Sequence, residues 1–294
     1  MACQNGIWFG TGVAAVSAAF YGLNVACVPL VYHAGGNVHM VNFVRPLFFI
    51  FFALGLILIR RKPVRLPPRA LLLAYMVGVL FLAEYYGVHT AIKYIPVGLS
   101  ILIVYTYPII VSIVAMFLGK EHLTARRVFL MTIAFVGLAI ALGAGVESPD
   151  LRGVAWSVLA AIGLVFIVII SKENMENHDF GTVMFHTMFM TSVIMVVFII
   201  GGAELEWPTT SQGLTALIVA TVTYAVATTL LFLAIHLIGP VRFAVIDNTA
   251  PLWAMAFAFL FLGETLTLAQ MFGVVLVLVA VITFQATSRR SDLQ

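Results

Sequence analysis

Four side chains that can carry a charge lie deep within stretches of sequence that are otherwise apolar: Arg45, Glu84, His186 and Asp247. By insertion scales, an ionised side chain at the middle of a membrane-spanning helix costs about 3 kcal/mol. Such groups can bind the charged parts of a small solute, exchange protons, or neutralise one another as buried pairs. Asn248 follows Asp247 directly, and an acid beside an amide suits an ammonium group or a proton relay.

Aromatic side chains form a second group of candidates. Tyr85, Tyr86, Tyr105 and Tyr107 fall in the same half of two predicted helices, and Trp253 lies on a later one. Rings with a polar tip can stack on a planar solute and still hydrogen-bond it, which makes Tyr85, Tyr105 and Trp253 candidates for solute contact. The chain also has 23 Phe, and rings near the ends of spans commonly form an interfacial belt. Both interpretations remain open.

The composition is that of a membrane protein. Hydrophobic residues make up 63% of the 294 residues and charged residues only 9%, whereas about a quarter are charged in soluble domains. This excludes a soluble globular protein, a disordered chain and a coiled coil. The only cysteines are Cys3 and Cys27, which excludes a disulfide-rich scaffold. The small net charge of +3 gives no reason to expect a nucleic-acid partner.

Ten stretches are long and apolar enough to cross a bilayer, which takes about 20 residues per helix. They lie approximately at residues 7–31, 38–60, 70–92, 96–118, 125–144, 152–172, 180–200, 213–236, 241–262 and 267–285. Nine or eleven spans remain alternatives, because several connections are barely longer than a turn. Strand alternation is not sustained, and residues 1–6 lack the Lys or Arg that begins a signal peptide. The sequence therefore predicts an all-α polytopic membrane protein without a signal peptide.

The positions of the cations predict the orientation. With the N-terminus inside, the outer loops hold only Lys93 and Arg152, and Arg45 lies within a span. The other cations fall in inner loops or the C-terminal tail: Arg60, Arg61, Lys62, Arg65, Arg69, Lys120, Arg126, Arg127, Lys172, Arg242, Arg289 and Arg290. Because cytoplasmic loops are enriched in Lys and Arg, we expect both termini in the cytoplasm and the protein in the cytoplasmic (inner) membrane.

The chain contains two similar halves. Gly12-Val13-Ala14 and Gly22-Leu23 recur 141 residues later, while Pro108 and Leu123-Thr124 recur 143 residues later as Pro251 and Leu266-Thr267. Each half holds five predicted spans, so the second half enters the membrane from the opposite side. An inverted repeat of this kind is typical of alternating-access transporters.

The segments that end the middle spans carry a specific resemblance. They are Ala91-Ile92-Lys93-Tyr94-Ile95-Pro96, Tyr107-Pro108, Leu118-Gly119-Lys120-Glu121-His122-Leu123-Thr124, Ala234-Ile235-His236, Ala250-Pro251 and Leu262-Gly263-Glu264-Thr265-Leu266-Thr267. In these the chain resembles the drug/metabolite transporter superfamily, with two EamA-type halves at 1–146 and 147–288 and a tail at 289–294. The resemblance implies ten helices around a central cavity, cytoplasmic termini, and transport of small metabolites such as amino acids, purines or amphipathic amines. Capping explains Glu121 and Glu264 better than solute binding does.

Estimated depths suggest how the buried charges pair. At about 1.5 Å of rise per residue, Arg45 and Glu84 lie about 9 and 13 Å below the outer ends of their helices, so they can form a pair. Asp247 and His186 each lie about 9 Å from an inner end. His186 is the repeat partner of Arg45, so the inversion predicts one acid–base couple near each mouth of the cavity. Either the four residues line a transport path, or each pair only locks helices together.

Two prolines interrupt predicted spans. Pro108 and Pro251 are repeat mates, and each lacks the amide N–H that would bond to the carbonyl four residues earlier. We therefore expect paired bends at which each half can rock.

We expect a secondary transporter that exports a small metabolite, an amino acid or a related amphipathic amine, from the cytoplasm. Arg45 would take a carboxylate, and Glu84 or Asp247 an ammonium. The alternative is a non-transporting scaffold or sensor, which predicts no central cavity of a few hundred cubic ångströms. A membrane-embedded enzyme is a weaker competitor, because the histidines are scattered and no Walker loop, His-Glu-x-x-His or Cys-x-x-Cys motif occurs. We expect no cofactor and no metal, partners limited to the solute and lipid, and either a monomer or a homodimer.

Overall fold

The fold is seen in a computed structural model that describes residues 2–119, 124–143, 149–262 and 266–291. Lys120, Glu121, His122 and Glu264 of the resemblance segments lie outside the described residues. So does the expected boundary between the halves at residues 146 and 147.

The described chain is helical, with short connections between helices. The helices are α1 (Ala2–His33), α2 (Val38–Ile59), α3 (Pro68–Ala91), α4 (Val97–Val104), α5 (Tyr107–Phe117), α6 (Ala125–Ala141), α7 (Leu151–Asn177), α8 (Phe180–Ile200), α9 (Ser211–Ile238), α10 (Pro240–Asp247), α11 (Ala250–Leu262) and α12 (Leu268–Ser291). Within the described ranges nine segments are long and apolar enough to span a membrane, with α4–α5 and α10–α11 each counting as one. The 17-residue α6 is the tenth segment. The predicted all-helical class is confirmed, and α12 continues into the expected tail.

Two spans are broken at equivalent positions. The α4–α5 span is interrupted at Tyr105 and Thr106, and the α10–α11 span at Asn248 and Thr249, which lie 143 residues later. At each break the threonine hydroxyl donates to the carbonyl three residues earlier, at 2.7 Å in the first half and 2.8 Å in the second. A proline lies two residues after each threonine. Because proline has no backbone N–H, it cannot donate a hydrogen bond to the carbonyl four residues earlier. Pro108 and Pro251 thus lie where the expected bends fall.

The packing of helices follows the repeat. The pair α1–α9 is matched by α3–α7, and α3–α8 by α2–α9, as expected when one half is rotated onto the other. Two further pairs, α2–α8 and α6–α12, each join a helix to its own repeat mate. This pairing is consistent with a two-fold relation between the two halves.

Loops of each half hold the first turn of a helix in the other half. The Asp179 carboxylate caps α8 and lies 3.1 Å from the Arg60 guanidinium at the end of α2. In the equivalent place Asn37 caps α2, and its side-chain amide donates to the Glu204 carbonyl in the α8–α9 connection at 2.9 Å. These contacts fix α2 and α8 against each other on both sides of the bundle.

Candidate functional site

A cavity of about 80 Å³ lies where the two halves meet. Its wall is formed by residues of α1, α2, α3, α4, α7, α8, α9 and α10, together with Tyr105 at the first helix break. Five of the predicted site residues line it: Arg45, Glu84, Tyr85, Tyr105 and Asp247. Ionisable residues far apart in the sequence are therefore brought to one largely apolar space within the bundle.

Arg45 is the most unusual residue of the wall. Its side chain is only 2% exposed, and its guanidinium lies over the rings of Tyr85 and Tyr224, at 5.7 and 5.4 Å from their centroids. The Nη1 group donates to the Tyr85 hydroxyl at 3.3 Å, while Nε and Nη2 have no hydrogen-bond partner among the described residues. Two aromatic rings thus hold a buried cation of which one edge is free.

Two carboxylates share the cavity with Arg45. Glu84 on α3 is 9% exposed, and Asp247 ends α10 at the second helix break. The Tyr107 hydroxyl donates to Oδ2 of Asp247 at 2.7 Å. Within the described ranges the structure contains no direct ion pair between Arg45 and Glu84, although both line the same space. The cavity therefore brings together two acids and one cation, of which Asp247 is bonded to Tyr107 and Arg45 to Tyr85.

His186 does not join Asp247. Its Nε2 donates to the carbonyl of Val64 in the α2–α3 connection at 2.7 Å, and its ring lies among those of Tyr75 and Phe185. The expected His186–Asp247 couple is therefore not formed in the described structure, because this face of α8 meets the loop rather than the cavity. In place of one couple near each mouth, the structure gathers Arg45 and both acids at one site.

Four further predicted residues lie outside the cavity wall. Trp253 is 42% exposed and stacks on Phe257, so it faces the periphery of the bundle rather than the solute space. Asn248 is buried beside the second break, with its Oδ1 unpartnered among the described residues. Pro108 and Pro251 are buried next to the two helix interruptions. Their functional roles stay predictions.

Several polar residues of the wall escaped the sequence analysis, namely Ser17, Tyr21, Asn42, Thr191, Tyr224 and Thr228. None of them carries a charge at neutral pH, so the search for intramembrane charges passed over them. Their spacing was the available signal, since Ser17 and Tyr21 are four residues apart, as are Tyr224 and Thr228. Polar residues four apart on an apolar helix share one face.

A layer of tyrosine and histidine side chains joins α1, α2 and α3 beside the cavity. Nδ1 of His89 donates to the Tyr85 carbonyl at 2.8 Å, which leaves Nε2 to accept a bond from the Tyr32 hydroxyl at 3.1 Å. The His89 ring also stacks on the Tyr85 ring, with 4.2 Å between centroids. Nδ1 of His39 lies 2.9 Å from the Tyr86 hydroxyl. This layer fixes Tyr85, which in turn holds Arg45.

Comparison with known proteins identifies similar sequences and a similar fold. Residues 8–143 and 151–284 each match the EamA-like transporter family. An uncharacterized transporter from Archaeoglobus fulgidus is 25% identical over 251 residues, which cover 85% of this chain and 87% of that protein. An uncharacterized transporter from Synechocystis is 29% identical over 196 residues, or 64% of this chain and 59% of that one. A crystal structure of a protein superposes with a TM-score of 0.74 at 16% identity, covering 94% of this chain and 98% of the other.

Proposed function

Because the chain belongs to the EamA-like transporter family, we propose that it is a secondary transporter that exports a small amino acid or a related amphipathic amine. The solute would cross the cytoplasmic membrane by alternating access, as the two halves rock about the central cavity. The proposed orientation, with both termini in the cytoplasm, is supported by the distribution of Lys and Arg in the sequence.

The single observation that carries this proposal is the cavity between the halves, with Glu84 and Asp247 in its wall. Ionisable side chains are costly inside a membrane, and those that occur commonly mark the path of a solute or a proton. A solute ammonium would lie between the two carboxylates and replace the water that otherwise solvates them. Proton exchange at the same acids would give a means of coupling.

The size of the cavity supports a small solute. A water needs about 10–15 Å³ of such space, so 80 Å³ has room for roughly five to eight waters. Drug-sized ligands occupy pockets of about 300–1,000 Å³. A cavity of a few hundred cubic ångströms would argue against a scaffold, and this cavity is smaller than that. The volume alone therefore does not distinguish a transporter from a scaffold. Turnover is therefore the measurement that distinguishes a transporter from a scaffold or sensor.

The test is efflux from proteoliposomes that are loaded with a mixture of amino acids and amines and analysed by mass spectrometry. We expect protein-dependent loss of a subset of these solutes, and at least a tenfold slower loss for the double variant Glu84→Gln, Asp247→Asn. The substitutions keep the shapes of the side chains but remove the charges that attract an ammonium. The matched control is Glu173→Gln, because that glutamate side chain is 49% exposed at the surface beside Arg69.

Efflux that keeps its rate and its pH dependence in the double variant would show that these acids are not the site. If no solute of the mixture moves, the transporter proposal itself fails and the scaffold alternative is favoured.

A further inference from the structure

The free edge of Arg45 has the shape of a carboxylate-binding fork. Nε and Nη2 lie on the same side of the planar guanidinium, whereas Nη1, on the other side, is already bonded to Tyr85. Parallel donors of this kind bind the two oxygens of a carboxylate in bidentate fashion. Both nitrogens are buried, and neither has a hydrogen-bond partner among the residues that the structure describes.

A second unpartnered donor lies on the same face of α2. Asn42 precedes Arg45 by three residues, is 5% exposed and also lines the cavity. Its Nδ2 is buried and makes no hydrogen bond of standard geometry in the described part of the chain, although the side chain faces the Tyr86 hydroxyl. Buried polar groups are nearly always hydrogen-bonded, so three such donor atoms in one wall indicate a ligand that accepts from all of them.

The rest of the wall restricts what that ligand is. The Arg45 guanidinium lies over the rings of Tyr85 and Tyr224, and its Nη1 group is bonded to the Tyr85 hydroxyl, which leaves the Nε/Nη2 edge for a ligand. The acids of the cavity are Glu84 on α3 and Asp247 on α10, so the acceptors come from helices other than α2. The wall thus offers hydrogen-bond donors on α2 and carboxyl groups on α3 and α10.

We propose that Asn42 and the Nε/Nη2 edge of Arg45 form a subsite for the carboxylate of the transported solute. The inference rests on the proposed transport function. That function admits both amino acids and simple amines, and the proposed subsite favours amino acids. A solute that carries a carboxylate beside its ammonium can accept hydrogen bonds from the donors on α2 and donate to the acids on α3 and α10. An amine leaves the donors of Arg45 and Asn42 unpaired in a buried site, and an amide offers one uncharged oxygen in place of two that share a negative charge, so both are disfavoured.

The experiment uses the full-length protein in proteoliposomes loaded with matched pairs: L-alanine with L-alaninamide, L-serine with L-serinamide, and L-leucine with L-leucinamide. At about pH 6 the ammonium group of every probe remains charged, so the members of each pair differ in the carboxylate. Protein-dependent efflux is measured against protein-free vesicles. We expect at least one amino acid to leave ten or more times faster than its amide.

Variants then assign that preference to the subsite. Arg45→Met should slow efflux of the amino acid at least tenfold and change efflux of the amide by less than twofold. Asn42→Asp places a negative charge at the subsite and should reduce the preference in the same direction. Arg69→Met is the matched control, because that arginine side chain is 87% exposed at the surface. Its preference should equal that of the unmodified protein.

Each other outcome counts against the proposal. Equal efflux of acids and amides from the unmodified protein overturns the carboxylate subsite, and this comparison does not depend on whether any variant folds. If the acid and the amide of a pair leave at the same rate, and both rates depend on chloride, the Nε/Nη2 edge of Arg45 binds an inorganic anion instead of the solute carboxylate. Absence of any protein-dependent efflux would instead refute the proposed function on which the inference rests.

Discussion

At the scale of single residues, the site is defined by groups that the protein leaves without partners. Burying the Arg45 guanidinium is costly, and the rings of Tyr85 and Tyr224 offset part of that cost through contacts with its faces. The edge of the guanidinium stays free. Under the proposed function, a solute that supplies the missing acceptors would gain more here than it would at a surface site.

Removal of the Tyr85 hydroxyl should weaken solute binding more than removal of the Tyr224 hydroxyl. Tyr85→Phe keeps the ring under Arg45 but loses the 3.3 Å bond to Nη1, and bonds to charged groups are worth about 1.5–3 kcal/mol. We expect the concentration for half-maximal efflux to rise about tenfold. Tyr224→Phe keeps a ring at the same place and should change it less than twofold. Equal effects of the two substitutions would show that the hydroxyl does not position Arg45.

The shared depth of Arg45 and Glu84 was predictable from the sequence, whereas the position of Asp247 in the same cavity and the direction of side chains around each helix were not. Counting residues placed Arg45 and Glu84 at comparable depth, and both line the cavity. The same counting placed His186 near Asp247, but the side chain turns to the carbonyl of Val64. An apolar span gives little indication of which face meets lipid, loop or cavity, because all of these surroundings tolerate hydrophobic residues. Asn42 was missed for a related reason, since an amide within a span attracts less attention than a charge.

At the scale of elements, the broken spans are the parts best suited to move. Both breaks border the cavity, the first through Tyr105 and the second through Asp247. The prolines predicted the breaks from sequence, because proline lacks the N–H that a continuous span requires and is tolerated where a new helix begins. The threonine–carbonyl bonds at each break were not predictable, because they depend on a local backbone geometry that many sequences permit.

Restoring the missing N–H groups should slow the transport cycle. In Pro108→Ala, Pro251→Ala the two spans can become continuous, so we expect the maximal efflux rate to fall about fivefold. The solute concentration for half-maximal efflux should stay the same, because neither proline lines the cavity. Pro29→Ala, in α1 and away from the breaks, is the control. A double variant that cycles at the original rate would exclude a hinge at these positions.

At the scale of the whole molecule, the repeat was the most predictable feature. The matching prolines and glycines of the sequence, the match of each half to one family, and the paired helix contacts all divide the chain at the same region. Hydropathy gave the ten spans because each must be about 20 apolar residues long. The family resemblance implied a central cavity, but the set of residues that line it could not be predicted, since it depends on how the halves dock rather than on either one alone.

The central claim is that this cavity can be reached from each side of the membrane in turn. It is tested most directly by a single cysteine at Thr228, a 3% exposed residue of the cavity wall, in a protein whose Cys3 and Cys27 are replaced by serine. Arg65→Cys serves as the marker of the cytoplasmic side. We expect a small membrane-impermeant thiol reagent to label position 228 from either side of sealed vesicles, and position 65 from the cytoplasmic side alone. Absence of labelling at position 228 from both sides, in protein that labels normally at position 65, would contradict the claim.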